Sequence, residues 1–391
     1  MTPLEPRRGP IVAIACLSMV SFGIVFTALG ASLPHVIARF GIDKREAGAM
    51  LSLLGFSVLA GSLVFGPIVD RRGYKPLMLV SFTASTVGLE AIAFAPSPGW
   101  LRAAVALIGF SGALVNGAAN ALVVDVSPGR RTGALAFMAG FFGAGAAAVP
   151  LALGLLAGHA SHAAILAATG VFFVIPLAMT VRVTFPPEKQ PQGFPLGAAR
   201  DLLRDPVLLL IGLMLFLESG MESTVGGWSS TLFVEAFDVG LERAQIYLAV
   251  FWLGLMLGRF AIGALMKRGS GLWLLVAGMG TAFTGAVWLV TGHAPAAAGI
   301  AVFLIGCGFA PVFPVLFGVT GDRYPHLSGT ALGLALGMAL MGGMSLPYAT
   351  GVLAGAYGLR GAFVIVPASL VGMAILFAIL RPRLARVESP S

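Results

Sequence analysis

Apolar runs long enough to cross a bilayer, separated by short polar or glycine-proline breaks, recur from one end of this chain to the other. A helix rises about 1.5 Å per residue, so roughly 20 apolar residues span the roughly 30 Å hydrocarbon layer. Runs of this kind cover residues 11–33, 47–65, 76–95, 101–124, 132–157 and 160–181, and a second set covers 206–233, 244–266, 272–291, 296–320, 328–353 and 362–380. The first run follows Arg7 and Arg8 as a signal peptide would, but it is longer than a signal-peptide core and near-equivalents follow it. It reads as the first span. The expected fold class is an all-α membrane protein with twelve transmembrane helices. Composition agrees: 58% of residues are hydrophobic, 10% are charged and the mean hydropathy is +0.95.

The texture changes once, at Thr184-Phe185-Pro186-Pro187-Glu188-Lys189-Gln190-Pro191-Gln192-Gly193, which is polar and proline-rich. Residues 196–204 behind it read as a short helix lying at the membrane surface. The expected division is an N-terminal six-helix bundle at 1–181, a cytoplasmic linker at 182–205, a C-terminal six-helix bundle at 206–381 and a cytoplasmic tail at 382–391. Orientation follows from the distribution of bases. Of the 24 Lys and Arg, all but Arg39, Lys44, Arg45, Arg102, Arg243 and Arg360 fall on the side that carries both termini. That side is expected to be the cytoplasm, and the location a bacterial-type inner, or plasma, membrane.

The formal charge of +8 would suggest nucleic acid in a soluble domain, but the bases sit in short loops between spans, where they set topology. Nucleic-acid binding is therefore not expected. Cys16 and Cys307 both fall inside apolar segments without metal-ligand spacing, and the five histidines are scattered at or near span ends. No metal or cofactor site is expected. The sequence also lacks a Gly-x-x-x-x-Gly-Lys-Ser/Thr loop and a His-Glu-x-x-His pair, so neither an enzyme nor a nucleotide-driven pump is indicated.

A weak internal repeat supports two halves. A shift of 196 residues lays Asp70-Arg71-Arg72-Gly73 on Met266-Lys267-Arg268-Gly269, and a shift of 197 lays Asp125-Val126-Ser127-Pro128 on Asp322-Arg323-Tyr324-Pro325. Parallel repeats about an axis along the membrane normal place a substrate site near the midplane, between the halves. The segment Gly66-Pro67-Ile68-Val69-Asp70-Arg71-Arg72-Gly73-Tyr74-Lys75 resembles the loop 2-3 signature of the major facilitator superfamily, Gly-x-x-x-Asp-Arg-x-Gly-Arg-Lys, with Tyr74 in place of the usual base. Within that superfamily, the segment from Gly220 to Trp228 looks like helix 7 of the fucose:proton symporter and sugar-permease branch. Asn116-Gly117-Ala118-Ala119-Asn120 resembles the same branch's helix 4. The resemblance implies two pseudo-symmetric six-helix bundles with helices 1, 4, 7 and 10 around a central cavity.

The residues that could work in such a cavity are few. Glu218 and Glu222 lie four apart in the middle of an apolar run, hence on one helix face. A charged group at a bilayer centre costs about 2.5 to 3.5 kcal/mol on insertion scales, so that face is expected to line a bundle interior, where a carboxyl can carry a coupling proton. The sequence offers them no evident intramembrane base: Arg259 counts as lying near the cytoplasmic end of helix 8 and Arg102 near the outer end of helix 4. Asn116 and Asn120 share a face of helix 4, as helix-helix glue or as substrate ligands. Trp228 reads as an interfacial anchor or a stacking platform, and Phe22, Phe26, Phe309 and Phe313 as packing or substrate contacts. Glu90, near the outer end of a peripheral helix, is the weaker third carboxyl.

A separate constellation lies at the cytoplasmic helix ends: Asp70, Arg71, Arg72, Asp125, Arg130 and Arg131 in the first half, Arg259, Lys267, Arg268 and Asp322 in the second. Oppositely charged pairs there would latch the halves together as a gate. The expectation is a monomeric secondary transporter working by alternating access, with a small-molecule substrate, protons and the lipid bilayer as its partners. Proton-coupled uptake of a sugar or similar polar solute is the first reading. Proton-coupled efflux of a drug or metabolite is the alternative; the small-residue run from Gly140 to Pro150 loosely resembles the helix 5 motif of drug:proton antiporters but lacks its Gly-Pro dipeptide.

Overall fold

The computed structural model describes residues 8–126, 131–186, 200–265, 271–324 and 327–385. Twelve helices long and apolar enough to cross a membrane are present among them, as the hydrophobic runs require. They are α1 (Arg8–Phe40), α2 (Lys44–Arg72), α3 (Tyr74–Ala93), α4 (Pro98–Val126), α5 (Arg131–Leu156), α6 (His162–Arg182), α7 (Pro206–Phe237), α8 (Leu241–Leu265), α9 (Leu272–Thr291), α10 (Pro295–Arg323), α11 (Ser328–Ala362) and α12 (Ile365–Ala385).

Local chemistry sets several boundaries. Asp43 caps α2 by accepting the Glu46 N–H at 2.7 Å, and Asp205 caps α7 by accepting the Val207 N–H at 2.7 Å, with Pro206 in the first helical position where its missing N–H costs nothing. Asp238 ends α7 in the left-handed region at φ 51°. The spans at α6 and α10 each break once, at Phe172–Phe173 and at Ala310–Pro311; Pro311 has no N–H to continue the ladder. Helices α1 and α7 run on to Phe40 and Phe237, beyond the apolar ends at 33 and 233, because a helix need not stop where hydrocarbon does.

Packing repeats from one half to the other. In the first half α1 lies against α5, and α4 against α2 and α3; in the second α7 lies against α11, and α10 against α8 and α9. The halves meet mainly through three pairs, α1 with α7, α2 with α11 and α5 with α8, with a smaller contact of α1 with α8. Glycines permit the closest of these approaches. A Cβ at Gly30 of α1 would sit 2.6 Å from the Gly226 carbonyl oxygen of α7, so no side chain fits there.

An even number of spans puts both ends of the described chain on one face, here called the terminal face. At the opposite face the halves are bonded together. Lys44 Nζ lies 2.6 Å from Glu235 Oε2, Gln245 Nε2 donates to the Ala31 carbonyl at 2.6 Å, and Ser230 Oγ donates to the Gly30 carbonyl at 3.0 Å. Toward the terminal face α2 and α11 part: Gly66 of α2 and Gly333 and Gly337 of α11 have no neighbour within 4 Å of where a Cβ would stand.

Candidate substrate and proton site

Glu222 stands about midway along α7, with Glu218 one turn before it, and both are buried, at 1% exposure for Glu218 and 8% for Glu222. The structure overturns one expectation here. Arg259 is not a charge at the helix end: its Nη2 lies 3.4 Å from Glu222 Oε2, inside the helix bundle. The reason is register. The turn from α7 to α8 is only residues 238–240, so the two antiparallel helices stay aligned and Arg259 falls level with the Glu218–Glu222 turn. Side chains also lean toward a helix N-terminus, which carries the guanidinium back toward the middle of the bundle. Glu218 Oε1 is buried with no hydrogen-bond partner among the described residues.

The guanidinium has a second neighbour. Its Cζ lies 5.5 Å from the ring centroid of Phe142 on α5, within range for a cation–π contact. Phe142 in turn anchors an aromatic cluster, with ring centroids 5.6 Å from Phe22, 5.8 Å from Phe26 and 5.9 Å from Trp252. Trp252 Nε1 is buried and lacks a hydrogen-bond partner among the described residues. Two carboxyls, one guanidinium and four aromatic rings from α1, α5, α7 and α8 thus meet at the contact between the halves.

Beside this cluster lies a cavity of about 30 Å³ bounded by α1, α2, α7 and α11, whose walls include Phe26, Leu54, Leu340 and Pro347. Among the described residues, Ser219 and Ser223 are the ones that line it with polar side chains. They alternate along α7 with Glu218 and Glu222, so adjacent stripes of one helix bear the cavity hydroxyls and the carboxyls. A cavity of this size holds a water or two as the helices now stand.

The other sequence candidates are dispersed. Asn120 Nδ2 donates at 2.9 Å to both the carbonyl and the Oδ1 of Asn116, which ties the two amides together along α4, and neither residue lines the cavity. Trp228 is fully buried and donates its indole N–H to the Pro347 carbonyl at 3.0 Å, tying α7 to α11. Phe309 is buried against Phe251, and Phe313 stacks on Phe317 at 4.2 Å beyond the break in α10. Phe22 and Phe26 do come together with the carboxyls' neighbours, and Phe26 reaches the cavity wall. Glu90 is half-buried, its carboxyl beside Gly170 of α6, away from this cluster.

Of the helix-end charges, Asp125 accepts a hydrogen bond from Tyr74 Oη at 2.6 Å within the first half. Asp70 is half-buried, and Arg71, Arg72 and Asp322 are exposed. Arg130, Lys267 and Arg268 lie outside the described residues, as does the side chain of Arg131. Sequence reading missed Phe142, Trp252, Ser219 and Ser223 as site residues and Lys44, Glu235 and Gln245 as cross-half contacts. Only Lys44 and Glu235 carried a signal, as opposite charges near span ends.

Comparison with known proteins places the chain. It is 25% identical over 412 residues to "Bypass of stop codon protein 6" of Saccharomyces cerevisiae, covering 92% of this chain and 80% of that protein. It is 30% identical over 159 residues to the class C tetracycline resistance protein of Escherichia coli, covering 40% of each. The crystal structure of the nucleoside transporter NupG superposes with a TM-score of 0.76 at 15% identity, covering 95% of this chain and all of that one, a likeness of fold. The family profile described as Major Facilitator Superfamily matches residues 15–343, and the chain belongs to that superfamily of membrane transporters.

Proposed function

We propose that this transporter works by alternating access as a proton-coupled exporter of an apolar or amphipathic small molecule, with Glu222 and Glu218 as the proton-carrying pair. The observation that carries this reading is the pairing of a charged triad with an apolar, aromatic wall. A sugar presents hydroxyls around its whole rim and needs several side-chain partners, whereas here two serine hydroxyls are the polar side chains of the cavity wall. The asparagines that would have served a sugar bond to each other. The similarity to a tetracycline resistance protein points the same way.

In this reading the terminal face is cytoplasmic, as the base count indicates, and the structure stands closed to the outside and parted toward the cytoplasm between α2 and α11. Substrate enters from that side. Its release and the uptake of a proton by the carboxyl pair occur in the state open to the outside, where Lys44 and Glu235 have separated. The helix-end charges Asp70, Arg71, Arg72, Asp125 and Asp322 then act on the closing of the terminal face. The protein functions as a monomer in a bacterial-type inner membrane.

The test is transport in proteoliposomes carrying an internal pH-sensitive dye. Amphipathic aromatic compounds and a panel of sugars are offered with and without an imposed pH gradient. Export predicts that a subset of the aromatic compounds moves against the proton flux and that dissipating the gradient stops it. Accumulation of a sugar in the same direction as protons would overturn the reading in favour of uptake.

A further inference from the structure

We infer that Arg259, through the ring of Phe142, is the positioning residue that transmits the protonation state of Glu222 to the contact between the two halves. The inference rests on the reading of Glu222 as a proton site, and the test below separates the two.

Glu222 and Arg259 belong to the second half and Phe142 to the first, so the guanidinium touches its carboxylate on one side and the other half's ring on the other. Here α5 and α8 are in close contact. A Cβ at Gly143 would stand 2.6 Å from Met256 Cβ, and one at Gly140 would collide with the Phe260 ring. Neither helix can shift without disturbing the guanidinium between them. An arginine keeps its charge in a protein, so it cannot answer the loss of its partner by shedding a proton. A buried charge must be paired or stabilised some other way.

When Glu222 takes up a proton, Arg259 loses its counter-charge, and what remains is the face of Phe142 and the carboxyl of Glu218. Those two carboxyls and Arg259 are the charged groups that act on one another here. Among the described residues, α1 brings Phe22 and Phe26 and α5 brings Phe142 to this contact, while Gly342 and Leu346 of α11 pack on Gly220, on a different face of α7 from the carboxyls. Cys307 of α10 is turned to the Gly254 carbonyl. Protonation thus moves the guanidinium's interaction from its own half onto the ring of the other half, and the α5–α8 contact gains where the Glu222–Arg259 pair loses.

The experiment reads the equilibrium between conformations against pH. Cysteines for spin labels replace Gly66 and Gly337, which have open space around them, in a Cys16→Ala, Cys307→Ala background reconstituted in nanodiscs. The distance between labels should change with pH in the parent. Phe142→Met keeps a long apolar side chain and loses the ring, so the protonated form is disfavoured and the midpoint should move to lower pH by about one unit, a tenfold change in equilibrium. Phe142→Tyr keeps the ring and should restore the parent midpoint. Arg259→Gln should move the midpoint the other way, since nothing then holds Glu222 ionised. An unchanged midpoint in Phe142→Met, a parent that does not respond to pH, or a Tyr variant that behaves like the Met variant would each overturn the relay. If Glu222→Gln still titrates fully, the proton-site reading fails first; if Glu222→Gln is flat while Phe142→Met matches the parent, only the relay fails.

Discussion

Glu235→Gln should release the halves at the face opposite the chain termini. In the structure Glu235 Oε2 lies 2.6 Å from Lys44 Nζ, and the two side chains are 34% and 27% exposed, intermediate between a surface pair and a buried one. Exposed pairs measure about 0.2 to 1 kcal/mol, and buried ones cost about 3 to 5 kcal/mol when one partner is removed. Discounting for the solvent at this pair, about 1 kcal/mol is the expected loss, or roughly a fivefold shift toward the state in which α2 and α7 have separated. The pair does not act alone, since the Gln245 and Ser230 hydrogen bonds to the α1 carbonyls also cross between the halves. The variant should shift the equilibrium without abolishing the closed state. The assay is the label distance between Gly66 and Gly337, at fixed pH, for Lys44→Gln, Glu235→Gln, the double variant and the exchanged pair Lys44→Glu with Glu235→Lys. The double variant should show no more than the larger single effect, and the exchanged pair should recover most of it. If the single effects simply add, the two residues do not interact, and the contact is incidental to closure.

Three further outcomes follow from the same geometry. Glu222→Gln should still exchange substrate across a membrane at equal concentrations but fail to build a gradient; a variant that concentrates substrate as the parent does would remove Glu222 from the coupling. Trp228→Phe leaves the Pro347 carbonyl without its donor and should lower stability by about 1 kcal/mol in a thermal shift measured in detergent, with substrate affinity unchanged; an affinity loss with unchanged stability would return Trp228 to the substrate site. Asp70→Asn should slow transport while substrate binding in detergent survives, and loss of binding by a folded variant would contradict its proposed role at the gate.

The architecture was legible because lipid imposes it. A span must be predominantly apolar over about 20 residues, so the twelve runs announced twelve helices, and the shift of about 196 residues between loop motifs matched a packing pattern that does repeat from half to half. Helix ends were less legible, since residues such as Val36 and Phe237 lie past the end of an apolar run and are buried by neighbouring helices instead of lipid. Within the spans, hydropathy does not distinguish a side chain facing lipid from one facing the other half. Phe137 is 56% exposed and Phe142 is 6% exposed in the same helix, and the sequence presents them alike. Asn116 and Asn120 looked like cavity residues for the opposite reason: amides in a span demand partners, and spacing alone does not reveal that four residues apart lets one donate to the other.

Arg259 shows most clearly what the linear view loses and why the loss bears on mechanism. Counted from the end of its own helix it is a peripheral cation, one more base on the side where bases accumulate. Counted across the three-residue turn 238–240 it is level with the only two carboxyls of α7 that lie inside the span's central turns. The difference decides what the carboxyls can do. Two unpaired acids in a low-dielectric site would both hold protons across a wide range and couple poorly to anything. One guanidinium beside Glu222 supplies charge for one carboxylate, so the pair can exist as one ionised and one protonated acid, and the site can change by one proton without leaving a net buried charge in either direction larger than a single unit. Among the described residues the guanidinium touches both the Glu222 carboxyl and the Phe142 ring of the opposite half, so if Glu222 carries a coupling proton, as proposed, the coupling between proton and conformation runs through Arg259.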